Sequence, residues 1–345
     1  MTELMPGPVP AQLPASIPSF VGRAEPMRLL DARLTATDGA TVTLAIVGSA
    51  GIGKTALAVH WAHRVRHRFP DGQIYLNLRG FDPHQSPLTT GAALHSLLAA
   101  LHFPAHQMPA DADAQVGLYR TLMADRRMLI LLDNARDAQQ VRPLLPGSAG
   151  SLVLVTSRDR LSGLGTADGA DLLTLSRLPL VEARELLVRR LGALRAAADH
   201  PALDEIIEHC EGLPLALAGA ATFANRHPST SLGYLAIQLR NARRRLDVLA
   251  DSDPATNIRS VFSWSYAALT PDAARLFRLL ARHPESHFTT RSAAVLALVS
   301  ATKVYPLVCE LTRLHLVEDH PDYYVLPELL RAYGEELTYP ALRAS

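Results

Sequence analysis

From Gly48 to Thr55 the chain reads Gly-Ser-Ala-Gly-Ile-Gly-Lys-Thr, a spacing suited to wrapping a chain of phosphates. Gly48, Gly51 and Gly53 permit backbone torsions and close approaches that a Cβ would block. Loop amides and the N-terminus of the following helix then face the anion. Lys54 is expected to reach the β and γ phosphates, and Thr55 to ligate Mg2+. The expected nucleotide-binding residues of this stretch are therefore Gly48, Gly51, Ile52, Gly53, Lys54, Thr55 and Ala56.

Two further positions carry chemistry. "RMLILLDNA" puts Asp133 at the end of an apolar strand, where a carboxylate beside a phosphate loop serves Mg2+ directly or through water. The alternative is a strand-end Asp that caps a helix beginning near Asn134. The residue after Asp133 is Asn134, which cannot act as a base, so slow turnover is expected. "LVLVTSRDR" places Arg158 just past a strand, where it can sense a γ-phosphate; a plain surface arginine is the other reading. Lys54, Asp133 and Arg158 form the expected catalytic set.

These side chains need a scaffold, and the surrounding pattern supplies one. Apolar strand-like runs ("VTLAIVG", "QIYLNL", "MLILLD", "LVLVTS", "DLLTL") alternate with helical ones from residue 20 to about 175. That alternation predicts a parallel sheet covered by helices, the α/β P-loop NTPase fold. From about 178 to 250 the periodicity is helical only. After 255, short helices precede "LVEDHPDYYVL", which reads as two short strands around a His-Pro-Asp turn, so a winged helix is expected. The predicted organisation is a Pro-rich linker at 1–18, a nucleotide-binding domain at 19–176, a helical domain at 177–252 and a winged-helix domain at 253–345. Five prolines between residues 6 and 18 underlie the linker.

Composition sets bounds. The net charge of +1 marks neither a nucleic-acid binder nor a membrane binder, and a hydrophobic content of 48% supports real cores. Cys210 and Cys309 form no metal pattern and fit a reducing cytoplasm. No signal peptide or spanning segment is visible, so a cytoplasmic protein is expected. His60, His63 and His67 share a helix face, but Arg64, Arg66 and Arg68 crowd it, which favours a polar face over a metal site. "RNARRRL" at 240–246 reads as a solvated helix face. The helix around 301–314 is too apolar for a groove reader, so direct nucleic-acid binding is not expected.

Taken in order, "FVGR" (20–23), "GSAGIGKT" (48–55), "LLDNA" around Asp133, "VTSR" (155–158) and "GLPLAL" (212–217) resemble the NB-ARC modules of STAND signalling ATPases. "FPDGQIYLNLRGFDP", "VFSWSYAAL" and "LLRAYGEEL" are similar to the NB-ARC segment of actinomycete SARP-type transcriptional regulators. The resemblance covers about residues 18–340. It implies a switch that binds ATP or ADP with Mg2+ and self-associates when ATP-bound. It also implies effector DNA-binding and sensor domains, expected to be absent from this chain. Val21 and Arg23 would lie against adenine, and Pro214 would close over the base. In the family a Met-His-Asp-like motif on the winged-helix lid reads the ADP β-phosphate. Pro327 and Glu328 fall at its His and Asp. Without the His the lid should lose a bond worth about 1–3 kcal/mol and be poorly latched. The same two residues also make a good helix start. The expected function is a nucleotide-dependent switch in signalling or transcriptional regulation with slow ATP hydrolysis. The alternatives are a nucleotide-binding regulator without meaningful hydrolysis and a DNA binder acting through its winged helix.

Overall fold

A computed structural model describes residues 8–18, 20–36, 41–82, 85–147, 149–197 and 199–338, with the backbone alone at 197 and 242–244. The chain folds as two compact units: residues up to Gly48 with Lys54–Leu175, and Ser49–Gly53 with Ser176 onward.

The first unit is built on strands β1 (Val42–Val47), β2 (Gln73–Asn77), β3 (Leu129–Ala135), β4 (Leu152–Ser157) and β5 (Asp171–Thr174). They form one sheet in the order β2-β3-β4-β1-β5, with every pairing parallel. β4 is buried throughout and β1 nearly so. Continuous apolar runs suit strands covered by helices on both faces. Those helices are α1 (Ala24–Ala36), α2 (Lys54–Val65), α3 (Thr90–Ala100), α4 (Ala112–Met123), α5 (Ala138–Val141) and α6 (Ser162–Asp168). Side-chain oxygens of Thr89, Asp111 and Asp137 accept the first free amides of α3, α4 and α5, which fixes where these helices begin.

β3 departs from regular pairing. Its register against β4 shifts between Leu132 and Ala135, and Asn134 sits in the left-handed region at φ 57°. No helix begins at Asn134: that residue lies within β3, and the next helix starts at Ala138 behind its Asp137 cap. Asp133 therefore caps nothing, and the bulge instead aims it along the sheet edge.

The Pro-rich segment is a docked strap from residue 8 onward, which corrects the reading of 1–18 as a linker; residues 1–7 of that reading lie outside the described residues. Ala11 bridges Gln73 in parallel. The Gln73 amide donates to Pro10 O at 2.7 Å, and the Gln12 amide to Gln73 O at 3.0 Å. His102 Nε2 donates to Pro8 O at 2.8 Å and His63 Nε2 to Pro14 O at 2.7 Å. His60 pairs with Ser16 Oγ at 3.2 Å and stacks on Phe20 at 4.2 Å. His60 and His63 of α2 thus hold the strap, whereas His67 lies beyond α2 and bonds Arg64 O at 3.1 Å. Among the described residues, no group of His, Cys, Asp or Glu could hold a metal alone.

The second unit contains helices α7 (Leu180–Leu191), α8 (Ala193–Ala197), α9 (His200–His209), α10 (Pro214–Arg226), α11 (Leu232–Arg240) and α12 (Ala242–Val248). They are followed by α13 (Ile258–Tyr266), α14 (Pro271–Ala281), α15 (Thr290–Ala297), α16 (Ala301–Arg313) and α17 (Glu328–Thr338). Strands β6 (His287–Phe288), β7 (Glu318–Asp319) and β8 (Tyr324–Val325) pair antiparallel in the order β6-β8-β7. β7 and β8 flank the His-Pro-Asp turn, closed by the His320 amide on Tyr323 O. "RNARRRL" breaks at Asn241 between α11 and α12, and the side chains of Arg243 and Arg244 lie outside the described residues. Arg259 of α13 joins the helices: its guanidinium meets both Glu336 oxygens at 2.7 and 2.8 Å and Asp247 at 2.6 Å. Gly334 lets α17 lie against α14, where a Cβ would come within 2.6 Å of Ala281. No single described helix is long and apolar enough to cross a membrane.

Candidate nucleotide site

The parallel strands end at one edge of the sheet, and there the first unit gathers its charged groups. Asp133 is buried at 6% exposure. Its Oδ1 accepts from Thr55 Oγ1 at 2.8 Å and from Thr156 Oγ1 at 2.5 Å, and its Oδ2 accepts from Tyr75 O–H at 3.0 Å. Three strands and the helix after the phosphate loop therefore converge on one carboxylate. The bulge is held by the same group of residues, since the Asn134 amide donates to Thr156 Oγ1 at 3.0 Å. Burial, followed by the charge of Asp133 and the bond to it, pushes the Tyr75 phenol up, so its proton stays available to donate.

Lys54 and Arg158 lie in the same field. Lys54 Nζ donates to Gly48 O at 2.9 Å. Burial, then the charge of Arg158, brings its ammonium down to about 7, with Asp133 opposing. Arg158 is buried too and is brought down to about 10 by that burial, again with Asp133 opposing. Its guanidinium lies over the Phe81 ring, 5.6 Å from the centroid. The turn behind Arg158 is built by side chains: Ser157 Oγ donates to Ala135 O at 2.6 Å, the Asp159 amide to Ser157 Oγ at 2.9 Å, and the Leu161 amide to Asp159 Oδ1 at 2.7 Å. On the other side Gln140 Nε2 donates to the carbonyls of Leu78 and Leu88 and fixes the loop that carries Phe81. Two buried cations, both depressed by burial and one of them, Lys54, also by the charge of Arg158, form a receptor for a polyanion.

Thr55 and Asp133 supply two neutral-to-anionic oxygens within hydrogen-bond reach of each other. That donor set fits Mg2+, which keeps most of its water and takes one or two protein oxygens plus phosphate.

Val21 and Arg23 are buried in the first unit, and Gly22 and Arg23 are consecutive left-handed residues at φ 71° and 63° that turn the chain into α1. The loop tip, Ser49–Gly53, belongs to the second unit's cluster. Within that cluster Gly51 O accepts from the Leu215 amide at 3.2 Å, and a Cβ on Gly51 would meet Leu215 at 2.9 Å. Pro214 Cγ lies 3.9 Å from where a Gly53 Cβ would be. Pro327 lies just before α17, its carbonyl accepting from the Arg331 amide at 2.7 Å.

Sequence reasoning missed Tyr75, Thr156 and Phe81. The signal was a polar group flanked by apolar residues within a strand, Tyr75 between Ile74 and Leu76, and a Thr156 that follows the apolar run "LVLV". Such a group needs a buried partner, and Asp133 provides it.

Residues 23–163 match the NB-ARC domain model. The chain is 38% identical over 327 residues to regulatory protein AfsR of Streptomyces griseus, covering 94% of this chain and 33% of that protein. It is also 38% identical to AfsR of Streptomyces coelicolor over 332 residues, with the same coverage of each. The chain thus spans about a third of the length of these relatives. Its fold is that of a Walker-type ATPase of Pyrococcus abyssi, with a TM-score of 0.64 at 13% identity over 91% of this chain and 96% of that one. The order of motifs and the sheet that ends at the phosphate loop agree with the matched span: residues 23–163 are similar to the NB-ARC domain and lie on an α/β P-loop NTPase fold.

Proposed function

We propose that the protein is an adenine-nucleotide switch, the regulatory module of a transcriptional or signalling regulator, with slow Mg2+-dependent ATP hydrolysis. The observation that carries this reading is the buried group of Lys54, Arg158 and Asp133 at the sheet edge, with Asp133 held by Thr55, Thr156 and Tyr75. In this reading Lys54 and the loop amides grip the phosphates, and Arg158 senses the γ-phosphate. Thr55 and Asp133 would hold Mg2+, which supplies charge neutralisation on the phosphoryl oxygens. Val21, Arg23 and Pro214 would bound the adenine. The α13–α17 region with its three-stranded sheet is read as a winged-helix lid, α7–α12 as the helical domain before it, and the ATP-bound form as the one that self-associates.

Slow turnover follows from Asn134. Its amide side chain cannot take a proton from the attacking water, and its backbone is fixed in the bulge. Titration of the whole chain with ADP and ATP, alongside steady-state turnover with Mg2+, tests the reading. Lys54→Ala should lose at least about tenfold in affinity. Asp133→Ala should nearly abolish turnover while leaving ADP binding measurable. Undiminished binding in the Lys54 variant, or wild-type turnover near the ~10 s⁻¹ of an ordinary enzyme, would overturn it.

A further inference from the structure

Helix α9 ends on two consecutive left-handed residues, Glu211 at φ 53° and Gly212 at φ 62°. Glycine is at ease there, and at Gly212 a Cβ would come within 2.6 Å of Leu178 O. A glutamate at φ 53° is strained, and a strained non-glycine residue persists where its surroundings compensate. The compensation is visible. Glu211 Oε1 accepts from the Glu328 amide at 3.0 Å, and Oε2 from the Leu329 amide at 2.9 Å. Arg177 Nη1 lies 2.7 Å from the same Oε1, and its Nη2 reaches Glu318 of β7 at 3.1 Å. The Glu211 side chain is only 14% exposed.

The two amides open α17 and have no partner within the helix. A carboxylate on them gains both the hydrogen bonds and the favourable end of the helix dipole. Glu211 thus ties α17, β7 and the 176–178 segment to one turn. Three residues later comes Pro214, and the Leu215 amide beyond it donates to Gly51 O in the phosphate loop tip. The chain from the α17 end to that tip is therefore Glu211-Gly212-Leu213-Pro214-Leu215, without a flexible stretch: the Gly212 carbonyl is held by the Leu178 amide at 3.0 Å and the Leu213 amide by Cys210 O at 2.9 Å.

We propose that Glu211 is a positioning residue that latches α17 and β7 onto the turn leading into α10, and that release of this latch is a step of nucleotide exchange. The inference rests on the nucleotide-switch reading above. It replaces the expectation of a poorly latched lid: where Pro327 offers no side-chain donor, a carboxylate from another segment holds the α17 amides instead.

The test uses the full chain and two variants. Glu211→Gln keeps the size but loses the charge and one acceptor. Glu211→Gly removes the carboxylate and relieves the left-handed strain, so it retains the fold. Two quantities are read: hydrogen exchange at the Glu328 and Leu329 amides, and the release rate of a fluorescent ADP analogue. In both variants, exchange at these amides and ADP release should each accelerate by about tenfold or more, the effect of losing a charged hydrogen bond. Glu205→Gln on α9, which removes the exposed pair with Arg240 of α11, should change neither. Unchanged amide exchange would overturn the latch. Faster exchange with unchanged ADP release would reduce Glu211 to a structural cap and overturn its role in exchange. A wild-type chain that binds no ADP analogue would overturn the nucleotide reading itself, and the coupling with it.

Discussion

Lys54 pays for its position before any ligand arrives. Burial and Arg158 bring its ammonium down to about 7 from the ordinary 10.5. Two opposite pH dependences follow. In the ligand-free protein the folded chain binds Lys54's proton less tightly than the unfolded chain, so stability from this group rises with pH between about 7 and 10.5. Above 10.5 the penalty is gone, and below 7 it is fully present. A phosphate chain favours the ammonium, so nucleotide binding should draw a proton onto Lys54 above pH 7. Affinity for ADP should be flat below that point and fall above it, by up to about tenfold per pH unit until the complex itself deprotonates. Calorimetric titration between about pH 6 and pH 9, in buffers of different ionisation enthalpy, measures both affinity and proton uptake. A flat affinity with no proton uptake, in wild type as in Lys54→Arg, would show that Lys54 is not neutralised in the free site.

At the scale of elements, the strap and the β3 bulge show where local pattern stops being sufficient. The strap's prolines remove amide donors and set no periodicity, so "PVPAQLPASIP" alone looks like a spacer. What docks it are donors far away in sequence: His63 and His102 reach the carbonyls of Pro14 and Pro8. The strap also covers the edge of β2, where an open strand would otherwise invite pairing with another chain. Replacing both histidines, His63→Ala with His102→Ala, should free the segment. Each bond contributes about 0.5–1.5 kcal/mol, so exchange at the Gln12 and Gln73 amides should rise by roughly tenfold or more, with the sheet interior unchanged. Unaltered exchange at both amides would mean the backbone bridge holds the strap alone. The phosphate loop and Asp133 were legible because each demand there is local: a torsion only glycine meets, a lysine at fixed spacing, an acid at a strand end. The bulge was not legible, since Asn134's left-handed backbone is held by Thr156 of β4, 22 residues away in sequence. The helical stretches were readable from their spacing, but their breaks at Gly192 and Asn241 were not.

At the scale of the whole chain, two units with separate cores should not unfold as one. The first is centred on the buried strands β1, β3 and β4, the second on helices tied by Arg259, Glu336 and Asp247. Scanning calorimetry of the ligand-free protein should therefore resolve two transitions. Lys54, Thr55, Asp133 and Arg158 all belong to the first unit, so Mg-ADP should raise that unit's transition. At about 1,000 times its dissociation constant a ligand adds roughly 4 kcal/mol. For a unit of this size that corresponds to a rise of about 8–16 °C. Lys54→Ala should cut the rise by about a third or more, the effect of an affinity loss of about tenfold or more, without shifting the ligand-free transition downward, because it removes a buried charge that costs stability. A single cooperative transition would reject the independence of the units. A rise of equal size in the Lys54 variant would move the ligand's grip away from the phosphate loop.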